Sequence, residues 1–542
     1  MSARLSRRGF LSSAAVGALA VTGLPTLAAC SSKKAGAKGG AVASSKLQLP
    51  TYVPAQVPVP DLAGNADGLD AGYLKAPSGL TTSVPAAPGD GKKITALTQT
   101  FTTPAPAMGD NSYWQELNKR LGSELDLTIV VDDYPSKFNA LVASDSLPDL
   151  VWFPPNQGLQ NVPALLEAKF TDLTPYVSGD AVKKYPNLAN LPTYSWKTSV
   201  VNGKIYGVTV TYGAFGQVYL VNQDFWKSVG GTGFASADDF LAKAKTLVDA
   251  KNNKYVLEPA YYNHLQQFAR WFGAPNTWRL AGGKLTHQLE TDEFAAALEF
   301  AVKAFQANLF WPDPNLSTTP EKVAGGALGA YVQSFPGFIL DSKTVDFPLG
   351  AIAPFPAVPG AKPSFYHGYG SVGFTGVNKK VGAQRIDTML KVLDYLAAPF
   401  GTTEAEFVNF GVEGTHYTRD GGGNPLLTPK GQAEVLTTWQ PVSFLMNSPE
   451  YLFVPGHSDR TQLIHDFETK ALTMMGDNPC LGHYSDTDTN KGAGLVTAMR
   501  TALEDIITGR QPLSRLDTIR KDWRGKGGDA MRHEYEQAIA AA

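Results

Sequence analysis

Lys93-Ile94-Thr95-Ala96-Leu97-Thr98 begins the stretch of this 542-residue chain that decides its fold. It reads as a β-strand. Ser112 is a plausible cap for a helix over Tyr113–Leu121, whose apolar positions recur at helical spacing. Leu125–Val131 reads as a second strand, Pro135–Ser144 as a second helix and Asp149–Phe153 as a third strand. Strands alternating with helices at this spacing predict parallel α/β units. Such sheets bind ligands at the carboxyl ends of their strands, here the loops Gln99–Ser112, Asp132–Pro135 and Pro154–Gln160.

A second α/β region follows. Lys204–Val210, Gln217–Asn222, Leu349–Ala353 and Ser371–Val377 read as strands. Ala237–Ala250 (capped by Ser236), Glu293–Ala307 and Arg385–Leu396 read as helices. Two such regions are too much for one sheet, so two lobes are expected. Upstream, residues 31–91 comprise a Ser/Lys/Gly/Ala-rich tether and a Pro/Gly/Ala-rich extension. The extension's composition is compatible with either packing along the body or disorder.

The first thirty residues read as an export signal. Arg7 and Arg8 stand directly before an apolar run in Ser6-Arg7-Arg8-Gly9-Phe10-Leu11, the pattern of twin-arginine export. Leu27-Ala28-Ala29-Cys30 resembles a lipobox, with Cys30 the acylated residue. Acyl chains bury about 0.8 kcal/mol per CH₂, so two or three would hold the chain on a membrane surface. No later run of 18 uncharged apolar residues is present to span one. The other cysteine, Cys480, has no disulfide partner in the mature chain and reads as a small buried apolar residue.

Formal charge is −2, which argues against a nucleic-acid or polyanion binder. Only 18% of residues are charged, which suits a neutral ligand, and the 11% that are aromatic fall often in Gly/Pro-rich loops.

Several segments resemble the extracellular solute-binding lipoproteins of sugar-type ABC importers. Asn202-Gly203-Lys204-Ile205-Tyr206-Gly207-Val208 followed by Tyr219-Leu220-Val221-Asn222-Gln223-Asp224 is similar to that family's first interlobe crossover. Phe410-Gly411-Val412-Glu413-Gly414-Thr415-His416-Tyr417-Thr418 resembles the segment before the third. Asp522-Trp523-Arg524, Gly527-Gly528-Asp529 and Arg532-His533-Glu534-Tyr535 resemble the C-terminal helix of its large lipoprotein branch. The resemblance implies an α/β, periplasmic-binding-protein-like fold (type II) with three crossovers and a ligand cleft. One lobe would hold residues 92–208 plus 376–415, the other 209–375 plus 416–542. It also implies a monomer that closes around a carbohydrate and docks on ABC permease subunits.

Sugars offer C–H faces to aromatic rings and hydroxyls to amides and carboxylates. The candidate contacts are Trp114, Trp152, Tyr212, Phe215, Trp271, Trp278, Phe335, Tyr366, Tyr369 and Trp439. Trp271, Tyr212 and Tyr369 lead, because glycine surrounds each at an expected interlobe position. Any single aromatic is more often core than ligand platform. Trp311 and Trp523 read as structural. His416 and Tyr417 suit either a turn or a cleft edge.

No cofactor or metal is expected. Gly368-Tyr369-Gly370-Ser371-Val372-Gly373 fits a dinucleotide fingerprint, but Phe374-Thr375-Gly376-Val377 continues as strand instead of helix. Asp486-Thr487-Asp488-Thr489-Asn490 resembles a calcium loop but has Lys491 at the glycine position and Thr497 at the twelfth. Zinc-protease, Walker and nucleophile-elbow motifs are absent. A glycoside hydrolase, needing two opposed carboxylates, and a structural or adhesive lipoprotein remain alternatives.

Overall fold

The computed structural model describes residues 47–100, 103–155, 159, 161–316, 319–435 and 441–541. Arg7, Arg8, Cys30 and Trp439 lie outside the described residues.

The alternation at residues 93–153 builds the first sheet. Its strand order is Leu125–Val130, Ile94–Gln99, Leu150–Phe153, Ser371–Val377, Gly207–Thr211. The first three strands run parallel, and Ser371–Val377 is antiparallel to both neighbours. The helix Ser112–Leu121 is capped by Asn111, whose side chain accepts from the Trp114 N–H at 2.9 Å. Ser112 is therefore its first residue, because Asn111 holds the extended conformation that a cap requires. The segment expected as one strand over Lys204–Val210 divides in two. Asn202 and Gly203 both take positive φ and fold Val200–Val201 against Lys204–Ile205 as a hairpin. Gly207–Thr211 then enters the sheet.

The second sheet runs Leu349–Ile352, Gln217–Asn222, Leu328–Ser334, Tyr255–Leu257. Its first two pairings are antiparallel and its last is parallel. One face is covered by Ala237–Leu247, Tyr261–Phe272 and Asp292–Gln306 together with the C-terminal helices Ala493–Ile507 and Leu516–Trp523. Cys480 is buried in this core, and burial pushes its thiol up. Each sheet has its own core, so the molecule is a two-lobed α/β protein.

The chain passes from the first sheet to the second at residues 212–216 and returns at residues 353–370. The expected lobe assignment needs correction after residue 415. Val435, Val442, Leu445 and Met446 pack in the first sheet's core, whereas Leu452, Val454 and Ile464 pack in the second's. The last passage therefore falls near residues 447–450, where the Thr211 hydroxyl donates to the Ser448 carbonyl at 2.7 Å. The expected boundaries at 208 and 376 also fall inside the strands Gly207–Thr211 and Ser371–Val377.

The Pro/Gly-rich extension packs along the body. The Val53 N–H donates to the Ala189 carbonyl at 2.8 Å, and Ala71–Gly72 pairs with Tyr451–Leu452. The Val84 N–H donates to the Glu404 carboxylate at 2.8 Å.

Candidate functional site

The two passages between the sheets lie side by side. Phe215 and His367 form an antiparallel bridge. The Gly368 N–H donates to the Ala214 carbonyl at 2.7 Å, and the Tyr212 N–H donates to Gly370 at 3.1 Å. Glycine is required at position 370. Its φ is +65°, and a Cβ there would stand 2.2 Å from the Tyr194 ring. Small residues let these extended segments lie close, and two slender connections can flex as a hinge.

Beside them opens a cleft of about 360 Å³. Trp152, Phe215, Phe335 and Phe444 line it, as do Tyr212, Tyr369, Gln217, Ser334 and Ser371. Its position follows from the topology. Trp152 and Pro154 sit at the carboxyl end of Leu150–Phe153, where parallel strands place their ligands. The Trp152 indole N–H donates to the Val372 carbonyl at 3.0 Å, and its ring packs 5.0 Å from Phe444. Phe215 and Phe335 lie 4.8 Å apart and almost fully buried, forming an apolar floor. Tyr369 is 42% exposed and Tyr212 half-buried, so these two can present ring faces to a ligand. The Ser334 hydroxyl accepts from the Gly337 N–H at 3.2 Å and caps Phe335–Thr344. Behind Gln217, the buried Arg270 guanidinium donates to the Gln217 carbonyl and packs 4.7 Å from the Tyr366 ring. Burial lowers Arg270 to about 10, still well above neutral pH.

Five of the ten expected contacts thus meet in one place: Trp152, Tyr212, Phe215, Phe335 and Tyr369. Four others lie elsewhere. Trp271 is buried in the second core, 4.3 Å from Phe355 and 5.1 Å from Phe240. Its stretch is the last turn of the helix Tyr261–Phe272, ended by Gly273 at φ +84°, and that helix turns Trp271 inward. Trp278 opens a hairpin around Gly282-Gly283 and packs against His287 and Trp523. The Tyr366 hydroxyl donates to the Ala274 carbonyl at 3.1 Å, inside the second lobe. Trp114 lies on the outer helix of the first lobe, its indole N–H donating to the Leu125 carbonyl at 2.9 Å. Phe444 was missed. Its segment, Pro441–Phe444, is a single 3-10 turn with no periodic signal.

His416 is structural. It is buried, its Nδ1 accepts from the Val412 N–H at 3.0 Å, and its Nε2 stands 3.2 Å from the Glu434 carboxylate. The glycine-rich 368–373 segment continues into strand and opens no helix. Asp488 accepts from the Tyr535 hydroxyl at 2.6 Å. Among the described residues, no group of three or more His, Cys, Asp or Glu is arranged to hold a metal, and no helix is long and apolar enough to cross a membrane.

A second cavity, of about 210 Å³, lies between the extension and the passages, with Tyr52, Tyr73, Tyr194, Asp70 and Glu450 among its walls. The Asp70 N–H donates to Glu468 at 3.0 Å. Burial raises Asp70 to about 7 and Glu450 to about 8, and holds Glu468 well above the usual carboxylate range.

Two α/β lobes joined through adjacent extended passages, with an aromatic-walled cleft at the junction, define a two-lobed ligand-binding protein. The family model for bacterial extracellular solute-binding proteins matches residues 114–397, and the chain belongs to that family. Lipoprotein LipO of Bacillus subtilis is 24% identical over 445 residues, covering 77% of this chain and 86% of LipO. The polygalacturonan/rhamnogalacturonan-binding protein YtcQ of the same organism is 23% identical over 457 residues, covering 79% and 88%. The HMO-binding, ABC-transporter-associated solute-binding protein of Bifidobacterium longum infantis shares the fold. Its TM-score is 0.61 at 13% identity, covering 83% of this chain and 99% of that one.

Proposed function

We propose that this chain is a lipid-anchored extracytoplasmic receptor that captures an oligosaccharide between its lobes and delivers it to an ABC permease. The observation that carries this is the cleft beside the paired passages, where Tyr212 and Tyr369 reach solvent above an apolar floor. Solvent-facing rings stack on sugar C–H faces, and Gln217 and Ser334 match hydroxyls. The names of YtcQ and the Bifidobacterium protein, one a polysaccharide binder and one ABC-associated, support the reading.

The first lobe comprises residues 92–211 plus 371–446, and the second residues 217–352 plus 451–541, moving about residues 212–216, 353–370 and 447–450. The protein acts as a monomer and is not an enzyme. Cys30 carries the lipid, and Arg7 and Arg8 direct export by the twin-arginine route. Cys30→Ser should move the protein from the detergent phase to the aqueous phase, and replacing both arginines by lysine should stop export.

A thermal-shift screen of the mature domain against oligosaccharides tests the binding reading. A ligand at 100 times its Kd adds about 2.7 kcal/mol of stability. A specific shift with the sugar recovered intact supports the proposal. Cleavage of the sugar would replace it with a hydrolase, and no shift across a broad panel would refute it.

A further inference from the structure

We propose that the cleft selects neutral saccharides and excludes uronates, a refinement that rests on the saccharide-binding reading above. Charge is unevenly distributed about the two sheets. Every described residue lining the cleft falls in one of five stretches of sequence: residues 150–166, 205–223, 323–340, 363–378 and 435–449. None of the five contains Asp, Glu, Lys or Arg. With 18% of the chain charged, about three such residues would fall in each stretch by chance.

Buried strands lack charge in any case, so the loops decide the matter. Pro154, Pro155, residues 212–217, Ser334 and residues 368–370 are connections or strand ends, where charge is ordinarily common, yet they carry none. The opposite ends of the same strands are charged. Asp149 precedes Leu150–Phe153, Lys204 stands before Gly207–Thr211, and Lys379 and Lys380 follow Ser371–Val377. In the second sheet Asp224 follows Gln217–Asn222, and Asp346 stands before Leu349–Ile352. On these strands charge is therefore concentrated at the ends facing away from the cleft.

The charged groups toward the cleft end are acids or are already engaged, beginning with Glu450, whose side chain lies against Gly213 and whose charge acts on Tyr212. Asp132 and Asp133 follow the edge strand Leu125–Val130, two strands out from Trp152, and would repel a carboxylate. Glu258 ends the other sheet's edge strand and is occupied by the Val332 N–H at 2.8 Å. His367 Nδ1 lies 2.7 Å from the Asp477 carboxylate. The Arg270 guanidinium is turned onto the Gln217 carbonyl and Gln267, behind the wall. A uronate carboxylate entering this cleft would lose water and find no cation in the lining, the Arg270 guanidinium lying behind Gly216 and Gln217, and unpaired burial of a charge is heavily penalised. A hydroxymethyl group at the same carbon meets the apolar floor and the Ser and Gln side chains at little cost. The similarity to a protein named for polygalacturonan binding does not extend to this chemistry.

The test is isothermal titration of the mature domain with matched tetrasaccharides that differ at C6 alone. Galacto-, cello- and mannotetraose are paired with tetragalacturonate, tetraglucuronate and tetramannuronate, at 20 mM and 500 mM NaCl. The expected result is a neutral member bound at least about 30-fold tighter than its uronate, with affinity changing by less than about twofold across the salt range. A uronate that binds as well as or better than its neutral counterpart, weakening with salt, would overturn the inference and leave the saccharide-receptor reading standing. Binding of neither series would overturn both.

Discussion

Asp70→Asn should stabilise this protein increasingly as pH rises. Asp70 lies on the extension, where its backbone N–H is held by Glu468 and Glu450 lines the same cavity. Three carboxyls in one neighbourhood cannot all ionise: burial raises each of them, the Asp70 charge adds to the rise at Glu450 and Glu468, and the hydrogen bond from Glu468 only partly offsets the rise at Asp70. Asp70 is raised to about 7, against about 3.9 in an unfolded chain. A raised carboxyl contributes stability in full below the unfolded value and loses it as pH climbs through the folded one. At about 1.4 kcal/mol per pH unit, some three units set a ceiling of about 4 kcal/mol. Asp70 is only half-buried, and screening by solvent reduces the realised effect to about 2 kcal/mol. Asparagine resembles the protonated acid and never ionises. Urea unfolding of both chains from pH 4 to pH 8 should show a stability difference near zero at pH 4, growing to about 2 kcal/mol in the variant's favour at pH 8. His264 and His287, lowered to about 3 by burial, act with the opposite sign between pH 3 and 6.5 but are common to both chains and cancel. A difference that stays constant across this range would refute the reasoning.

Trp271→Ala should lower unfolding free energy by about 3–5 kcal/mol, measured by urea unfolding, while the folded fraction binds sugar with unchanged affinity. Tyr369→Ala should behave in the opposite way, weakening sugar affinity about tenfold in calorimetry with little change in melting temperature, since the residue is 42% exposed. Gly373→Ala should reduce stability and soluble yield, because φ is +119° and the new Cβ would meet the Phe153 carbonyl oxygen at 2.1 Å.

Much of the fold was legible because strand and helix periods alternate cleanly at residues 93–153 and in Ala237–Leu247, Asp292–Gln306 and Ala383–Leu396. Local turn chemistry explains several departures. Asn202-Gly203 and Gly282-Gly283 are both two-residue hairpin turns, and passing over them merged two strands in one place and gave Trp278 a loop in the other. Glycine near Trp271 marks no interlobe loop: His264, Leu265, Phe268 and Trp271 repeat at helical spacing, and Gly273 is the αL stop that ends the helix. The last passage was placed some thirty residues early. Residues 416–446 have short, irregular elements whose place depends on tertiary contacts, such as Glu434 with Ser112 at 2.6 Å, that no local pattern encodes. The place of Tyr212 and Tyr369 on the passages between the lobes was legible, because Gly213 follows the one and Gly368 and Gly370 flank the other.

The most direct test of the central claim is a crystal structure of the mature domain with the oligosaccharide that the thermal screen selects. The sugar should lie in the cleft beside Trp152, with its rings stacked on Tyr212 and Tyr369. A sugar bound elsewhere, such as in the cavity beneath the extension beside Tyr52 and Tyr194, would contradict it.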